Sequence, residues 1–129
     1  MSKTPVRTDG APAPVSGAPY SQAVVANGFV FVSGQVPIDP ATGKLVEGGI
    51  AEHTHRCFDN LAAILAAAGS GLDKLVKTTV FLDDIGDFAA MNAVWDAWVV
   101  PGHTPPRATV QAKLAKPEWK VEIVVTAAV

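Results

Sequence analysis

Arg107 and Glu122 are the residues whose type and surroundings point to chemistry. Arg107 follows Pro105-Pro106 and opens the run Ala108-Thr109-Val110. A guanidinium entered through two prolines is a pre-aimed fork for a carboxylate ligand. Glu122 interrupts Val121-Glu122-Ile123-Val124-Val125, and the chain from there to its end is apolar apart from Thr126. A carboxylate in such a strand costs several kcal/mol to desolvate unless something pairs with it. A fixed cation and an isolated carboxylate together describe a site for a small anion. Each also has a plainer reading. A strand-end arginine serves in surface ion pairs, and a carboxylate in an apolar strand serves as half of a buried pair.

Other polar residues offer less. Tyr20 sits in the bend Gly17-Ala18-Pro19-Tyr20-Ser21-Gln22, where its ring either walls a pocket or simply packs. Asn92 lies between Met91 and Trp95, needs a hydrogen-bond partner, and is placed to orient the loop before Arg107. His53 and His55 are two apart, so a helix turns them to different faces; no metal pair is expected, and both read as solvated. His103 reads as an exposed loop residue. Cys57, the single cysteine, excludes an internal disulfide and reads as a small core residue. Asp83-Asp84 read as turn and capping residues. No Gly-rich phosphate loop, Cys-x-x-Cys, or Ser-His-Asp set at recognisable spacing is present.

The elements that must position these residues follow from periodicity. Residues 1–16 are rich in Ala, Pro, Ser and Thr. They read as a mobile arm with room for one short edge strand, leaving 17–129 as the domain. Strands at 21–26 and 29–33 flank Asn27-Gly28, a strong hairpin signal. A turn region over 37–43 precedes a short strand at 44–46. Cys57, Phe58, Leu61, Ile64, Leu65 and Ala68 share one helical face, which predicts a helix over 49–68 stopped by Gly69. A strand follows at 75–82. A second helix over 88–99 is capped by Asp87 and buries Phe88, Met91, Trp95, Trp98 and Val99. Two final strands span 107–114 and 121–128. Two one-sided helices for five or six strands predict an α+β domain, a single sheet with both helices on one face. The other sheet face keeps Val, Ile and Ala with nothing left to cover it, so a second subunit is expected there.

If the last two strands form an antiparallel pair, Lys113 lies opposite Glu122, and Arg107 is six residues further along, roughly 20 Å away. One chain could not then bring both onto one small ligand; two neighbouring subunits could.

Bulk properties narrow the function classes. The chain has 129 residues, enough for one domain, with 49% hydrophobic and only 17% charged residues, a low charged fraction that favours an oligomer. Net charge is −2 with no basic run, so the electrostatic footprint of a nucleic-acid binder is missing. No apolar stretch reaches the roughly 18 residues of a membrane span, and no apolar leader is visible. A cytosolic protein without membrane or nucleic-acid partners is the expectation.

Pro19-Tyr20-Ser21-Gln22, Ser33-Gly34-Gln35, Lys77-Thr78-Thr79-Val80-Phe81, Asp87-Phe88-Ala89 with Asn92, and Pro106-Arg107 followed by Val121-Glu122-Ile123 occur in order. On these pieces the chain resembles the RidA (YjgF/YER057c/UK114) family of enamine/imine deaminases over about residues 17–128. The resemblance implies a chorismate-mutase-like mixed sheet with two helices on one face, and a homotrimer with clefts between subunits. It implies hydrolysis of 2-imino acids formed from 2-aminoacrylate and related enamines to 2-keto acids and ammonia, with no metal or organic cofactor. It further implies that Arg107 clamps the substrate carboxylate and that Glu122 positions or activates the attacking water. The backbone at Ser33-Gly34 and Thr109 hold the substrate, and Tyr20 and Asn92 shape the pocket. Thr109 stands where many active members carry Cys, and Ala18 where Gly is frequent, which points to altered substrate preference. Two other readings compete: an endoribonuclease or translation inhibitor, which the charge opposes, and a non-catalytic metabolite-binding trimer.

Overall fold

The computed structural model describes residues 2–129. Met1, part of the expected arm, lies outside them. Strands Ala23–Ala26 (β2) and Phe29–Val32 (β3) form the expected hairpin. Asn27 and Gly28 take φ of 53° and 83°, the left-handed pair that a tight hairpin turn requires. The preceding arm is not free. Thr4–Val6 (β1) pairs antiparallel with β2. Gln22 then holds the arm's backbone: its Oε1 accepts from Thr8 N–H at 2.7 Å, and its Nε2 donates to the carbonyls of Thr8, Ala11 and Pro12 at 3.0, 3.1 and 2.9 Å.

Ile38–Asp39 (β4) and Lys44–Leu45 (β5) make a separate two-stranded hairpin. Helix Ile50–Ala67 (α1) starts where Gly49 N–H is held by Glu52 Oε1 at 2.7 Å. It ends at Gly69, φ 78°, with Ser70 N–H bonded back to Leu65 O at 2.8 Å. Its buried stripe contains Cys57, Phe58, Leu61, Ile64 and Leu65, as the periodicity predicts. His53 departs from expectation: it is buried, not solvated. The segment ending at Lys120 folds over the start of α1, and His53 Nδ1 accepts from Lys120 N–H at 3.4 Å. Burial lowers its pKa, against a smaller opposing effect of a hydrogen bond to the Val46 backbone.

Helix Phe88–Trp98 (α2) is also capped differently from expectation. Asp87 makes no side-chain cap; Asp84 accepts from Gly86 N–H at 2.8 Å and starts a 3-10 turn that leads into the helix. Met91, Val94 and Trp95 are buried, whereas Phe88, expected in that stripe, is 41% exposed.

Strands Leu75–Leu82 (β6), Arg107–Gln111 (β7) and Val121–Ala128 (β8) complete a six-stranded mixed sheet of order β1-β2-β3-β8-β6-β7. The pairing of the last two strands differs from expectation. β7 runs parallel to β6, with Arg107 opposite Thr78, and β8 lies antiparallel between β3 and β6. The reason is topological: β6, α2 and β7 form a crossover unit, which returns its second strand parallel to the first. β8 is then free to take the centre. Val121, Ile123, Val125 and Ala127 of β8 face the helices and are buried. Both helices pack on that face. The other face carries Val24, Phe31, Phe81 and Val124, and among the described residues nothing covers it; Phe29 and Phe31 remain 38% and 47% exposed.

Candidate functional site

Arg107 begins β7 at the sheet edge. Thr78 N–H donates to Pro106 O at 3.0 Å, which fixes the entry of the strand. Register with the buried Thr78 turns the Arg107 side chain toward α2. There its guanidinium carbon lies 4.7 Å from the Trp95 ring centroid and 5.7 Å from that of Phe88. Among the described residues the one ion pair is Arg56–Asp59 at 3.8 Å, so Arg107 has no carboxylate partner. Partial burial lowers its pKa and Asp96 raises it; an arginine stays charged through such changes. Thr109 shares this face, and its hydroxyl, like that of Thr78, is buried without a hydrogen-bond partner among the described residues. Asn92, half-buried on α2, lies one turn from both Phe88 and Trp95.

Glu122 lies on the opposite face. It pairs in register with Phe81, and the segment Ser33-Gly34-Gln35 crosses beside it. Gln35 and Ile123 exchange both backbone hydrogen bonds, at 2.8 and 3.0 Å. This brings Gly34 against the carboxylate. A Cβ at position 34 would meet Glu122 Oε2 and lie 2.9 Å from its Cδ, so any side chain there must displace the Glu122 carboxylate. Gly34 N–H donates to no group among the described residues. The Ser33 hydroxyl donates to Gln22 O at 3.0 Å and accepts from Gln35 Nε2 at 3.4 Å, so it braces the Gly34 backbone. The Tyr20 hydroxyl accepts from Val15 N–H at 2.8 Å, and the residue is 44% exposed. It borders both a small cavity beside Gly34 and a groove of about 440 Å³ that runs past Val24 and Phe31. Burial raises the Glu122 pKa, and among the described residues no cation pairs with it. The plainer reading of Glu122, a structurally paired carboxylate, has no partner within the described chain. Cys57, behind this segment, donates to Gln35 O at 3.3 Å; burial and then Glu122 push its thiol far up, so it is an inert core thiol.

The candidate residues therefore fall into two half-sites. Arg107, Thr109 and Asn92 lie on the helix side of the sheet edge. Tyr20, Ser33, Gly34 and Glu122 lie on the open side. By register, Arg107 and Glu122 are two strands and three residues apart, roughly 14 Å at ordinary strand spacings. The expected separation of roughly 20 Å rested on the wrong strand pairing. Opposite faces separate the two side chains further, so one chain cannot close both on one small ligand. A cavity of about 550 Å³ between residues 12–16, the β4–β5 hairpin and Trp119 reaches neither half-site. Among the described residues no cluster of three or more His, Cys, Asp or Glu could hold a metal, and no helix is long and apolar enough to cross a membrane.

Sequence reasoning missed three supports. Gln22 and Gln35 are buried amides that hold the arm and the Gly34 segment, and the signal was a polar side chain at each edge of an apolar strand. Trp95 has the spacing of a core residue, yet its ring also lies under the Arg107 cation.

Gly34 gives a direct test of the open-side half. In Gly34→Ala the new Cβ displaces the Glu122 carboxylate. Turnover of a substrate that depends on Glu122 is expected to fall at least about tenfold, with an unchanged circular dichroism spectrum. Wild-type turnover in that variant would show that the close approach has no role.

The family profile described as Endoribonuclease L-PSP matches residues 10–129. A Rattus norvegicus protein named 2-iminobutanoate/2-iminopropanoate deaminase is 40% identical over 118 residues, covering 92% of this chain and 84% of its own. The crystal structure of YyfA, a Rid-family protein of unknown function from Yersinia pestis, is 38% identical and superposes with a TM-score of 0.93 over 99% of this chain and 100% of that one. E. coli TdcF, solved with bound serine, is 32% identical with a TM-score of 0.88 over 98% of each chain.

Proposed function

This chain belongs to the endoribonuclease L-PSP family, the YjgF/RidA group, and on that footing we propose that it is a cytosolic hydrolytic deaminase of 2-imino and enamine acids of the 2-aminoacrylate type. The observation that carries this reading is a partly buried cation, Arg107, and a partly buried carboxylate, Glu122, each without an ion-pair partner among the described residues and on opposite faces of one sheet. They complete each other only between copies. The uncovered apolar face supports association of copies, which this reading takes as a homotrimer with its clefts between subunits.

The chemistry follows from these parts. The substrate carboxylate meets the Arg107 fork of one copy and the free Gly34 N–H of the next. Glu122 takes a proton from water, and the oxygen attacks the imine carbon. The C=N bond becomes a C–N bond in a tetrahedral carbinolamine. Glu122 gives that first proton to the nitrogen of the carbinolamine, then takes the carbinolamine hydroxyl proton and passes it to the same nitrogen; the C–N bond breaks, ammonia leaves, and the C=O bond of the 2-keto acid forms. An imine carbon is already electrophilic, so positioning supplies several kcal/mol and a single base adds about 10²–10⁴-fold. Asn92, Tyr20 and Thr109 shape the pocket, and Ser33 holds the Gly34 backbone in place.

The test is a coupled assay in which a pyridoxal-phosphate enzyme generates 2-aminoacrylate and keto-acid release is followed. Addition of this protein is expected to accelerate release above the spontaneous rate, and sedimentation is expected to give a trimer. No acceleration with retained keto-acid binding would favour a metabolite-binding protein instead. RNA cleavage would favour the activity in the family's description, which a net charge of −2 opposes. A stable monomer at micromolar concentration would remove the shared site.

A further inference from the structure

We infer that Trp95, together with Phe88, is a positioning residue for the Arg107 clamp: the two rings hold the guanidinium and leave its N–H edge free for a planar carboxylate. The inference rests on the reading of Arg107 as that clamp. Arginine is long and rich in rotamers, and a fork aims only if something fixes its plane. Arg107 has no ion pair among the described residues, and its guanidinium carbon lies over the Trp95 and Phe88 rings, 4.7 and 5.7 Å from their centroids. Ring faces attract the cation through their quadrupole and do not consume its in-plane donors. An ion pair to Asp96 would instead occupy the donors that a substrate needs, and Asp96 acts only at longer range.

Trp95 is itself anchored. It is 9% exposed and packs against Phe58, with ring centroids 6.0 Å apart at 57°. Phe58 in turn stacks on Trp98 at 5.4 Å and 12°. A rigid aromatic row therefore runs from the core to the cation. Phe88 does not belong to the core, being 41% exposed at the first turn of α2. Core packing explains Trp95 alone but not an exposed ring placed beside the same guanidinium.

The experiment titrates the full-length protein by NMR with pyruvate and with pyruvamide, its neutral carboxamide analogue. The variants are Phe88→Leu, Trp95→Leu and Trp95→Phe, with Arg107→Ala as the control. A cradle that aims the fork predicts that Phe88→Leu and Trp95→Leu weaken pyruvate about tenfold while pyruvamide changes by less than about twofold, and that Trp95→Phe restores most of the loss. Equal weakening of both ligands would mean that the rings only support the fold, and unchanged pyruvate affinity would mean that they do not aim the fork; either result overturns the inference. If Trp95→Leu does not fold, Phe88→Leu decides, because its ring is not part of the core. If pyruvate affinity is insensitive to Arg107→Ala, the clamp reading itself fails. If it depends on Arg107 but not on either ring, only the cradle fails.

Discussion

Replacing Arg107 with alanine is expected to abolish imine hydrolysis, with kcat/KM falling at least about 100-fold, roughly 3 kcal/mol of transition-state stabilisation. Among the described residues the guanidinium is the single cation of its half-site and has no carboxylate partner, so nothing nearby takes over its role. Its loss removes two parallel hydrogen bonds to the substrate carboxylate and the orientation they impose on the imine carbon. Arg107→Lys is also expected to be poor. An ammonium does not reproduce the fork and does not lie flat on Trp95. Neither change threatens the fold. Arg107 sits at a sheet edge, and its ring contacts are worth about 1 kcal/mol. Both variants should keep the wild-type circular dichroism spectrum and assembly state, so the lost activity reports on the clamp. Near-normal kcat/KM in either variant would remove Arg107 from the site.

The elements were legible where their signals are local. Asn27-Gly28 forced the hairpin, the stripe from Cys57 to Leu65 forced α1, and the alternation of Val121, Ile123, Val125 and Ala127 fixed which face of β8 is buried. The partner of β7 was not legible, because strand pairing is a non-local choice. A connection of nine residues between β7 and β8 permits a hairpin, and only the crossover through α2 overrides it. That error hid the face of Arg107. Arg107, Thr109 and Gln111 look like the solvated side of an edge strand, yet they face the helices. Gln111 accepts from Ile85 N–H at 2.8 Å, and Arg107 meets Trp95. The residue types of the site were thus visible in the chain. Their division between two faces, which makes a second copy necessary, depended on topology. His53 failed for a related reason: its burial comes from the segment ending at Lys120, far away in sequence.

Glu122→Gln separates a base from a structural carboxylate. As the base, Glu122 must be ionised, and burial holds its pKa above the usual carboxylate value of 4.5. The wild-type kcat/KM should therefore rise with pH along an acid limb centred above that value, with unit slope. The glutamine keeps the shape but accepts no proton. Turnover should fall at least about tenfold, the acid limb should vanish, and keto-acid binding should stay nearly unchanged. Stability should move the other way. A folded-state pKa raised above the unfolded one means that the native state prefers the protonated form. The stability this group contributes is full below 4.5 and is lost as pH rises through the raised folded value. At neutral pH the ionised carboxylate is therefore a cost, and Glu122→Gln should be at least as stable as wild type, with the advantage fading on acidification. A structural ion-pair partner predicts the reverse, a less stable variant in which binding and turnover decline together. Wild-type turnover with an unshifted acid limb would exclude Glu122 as the base.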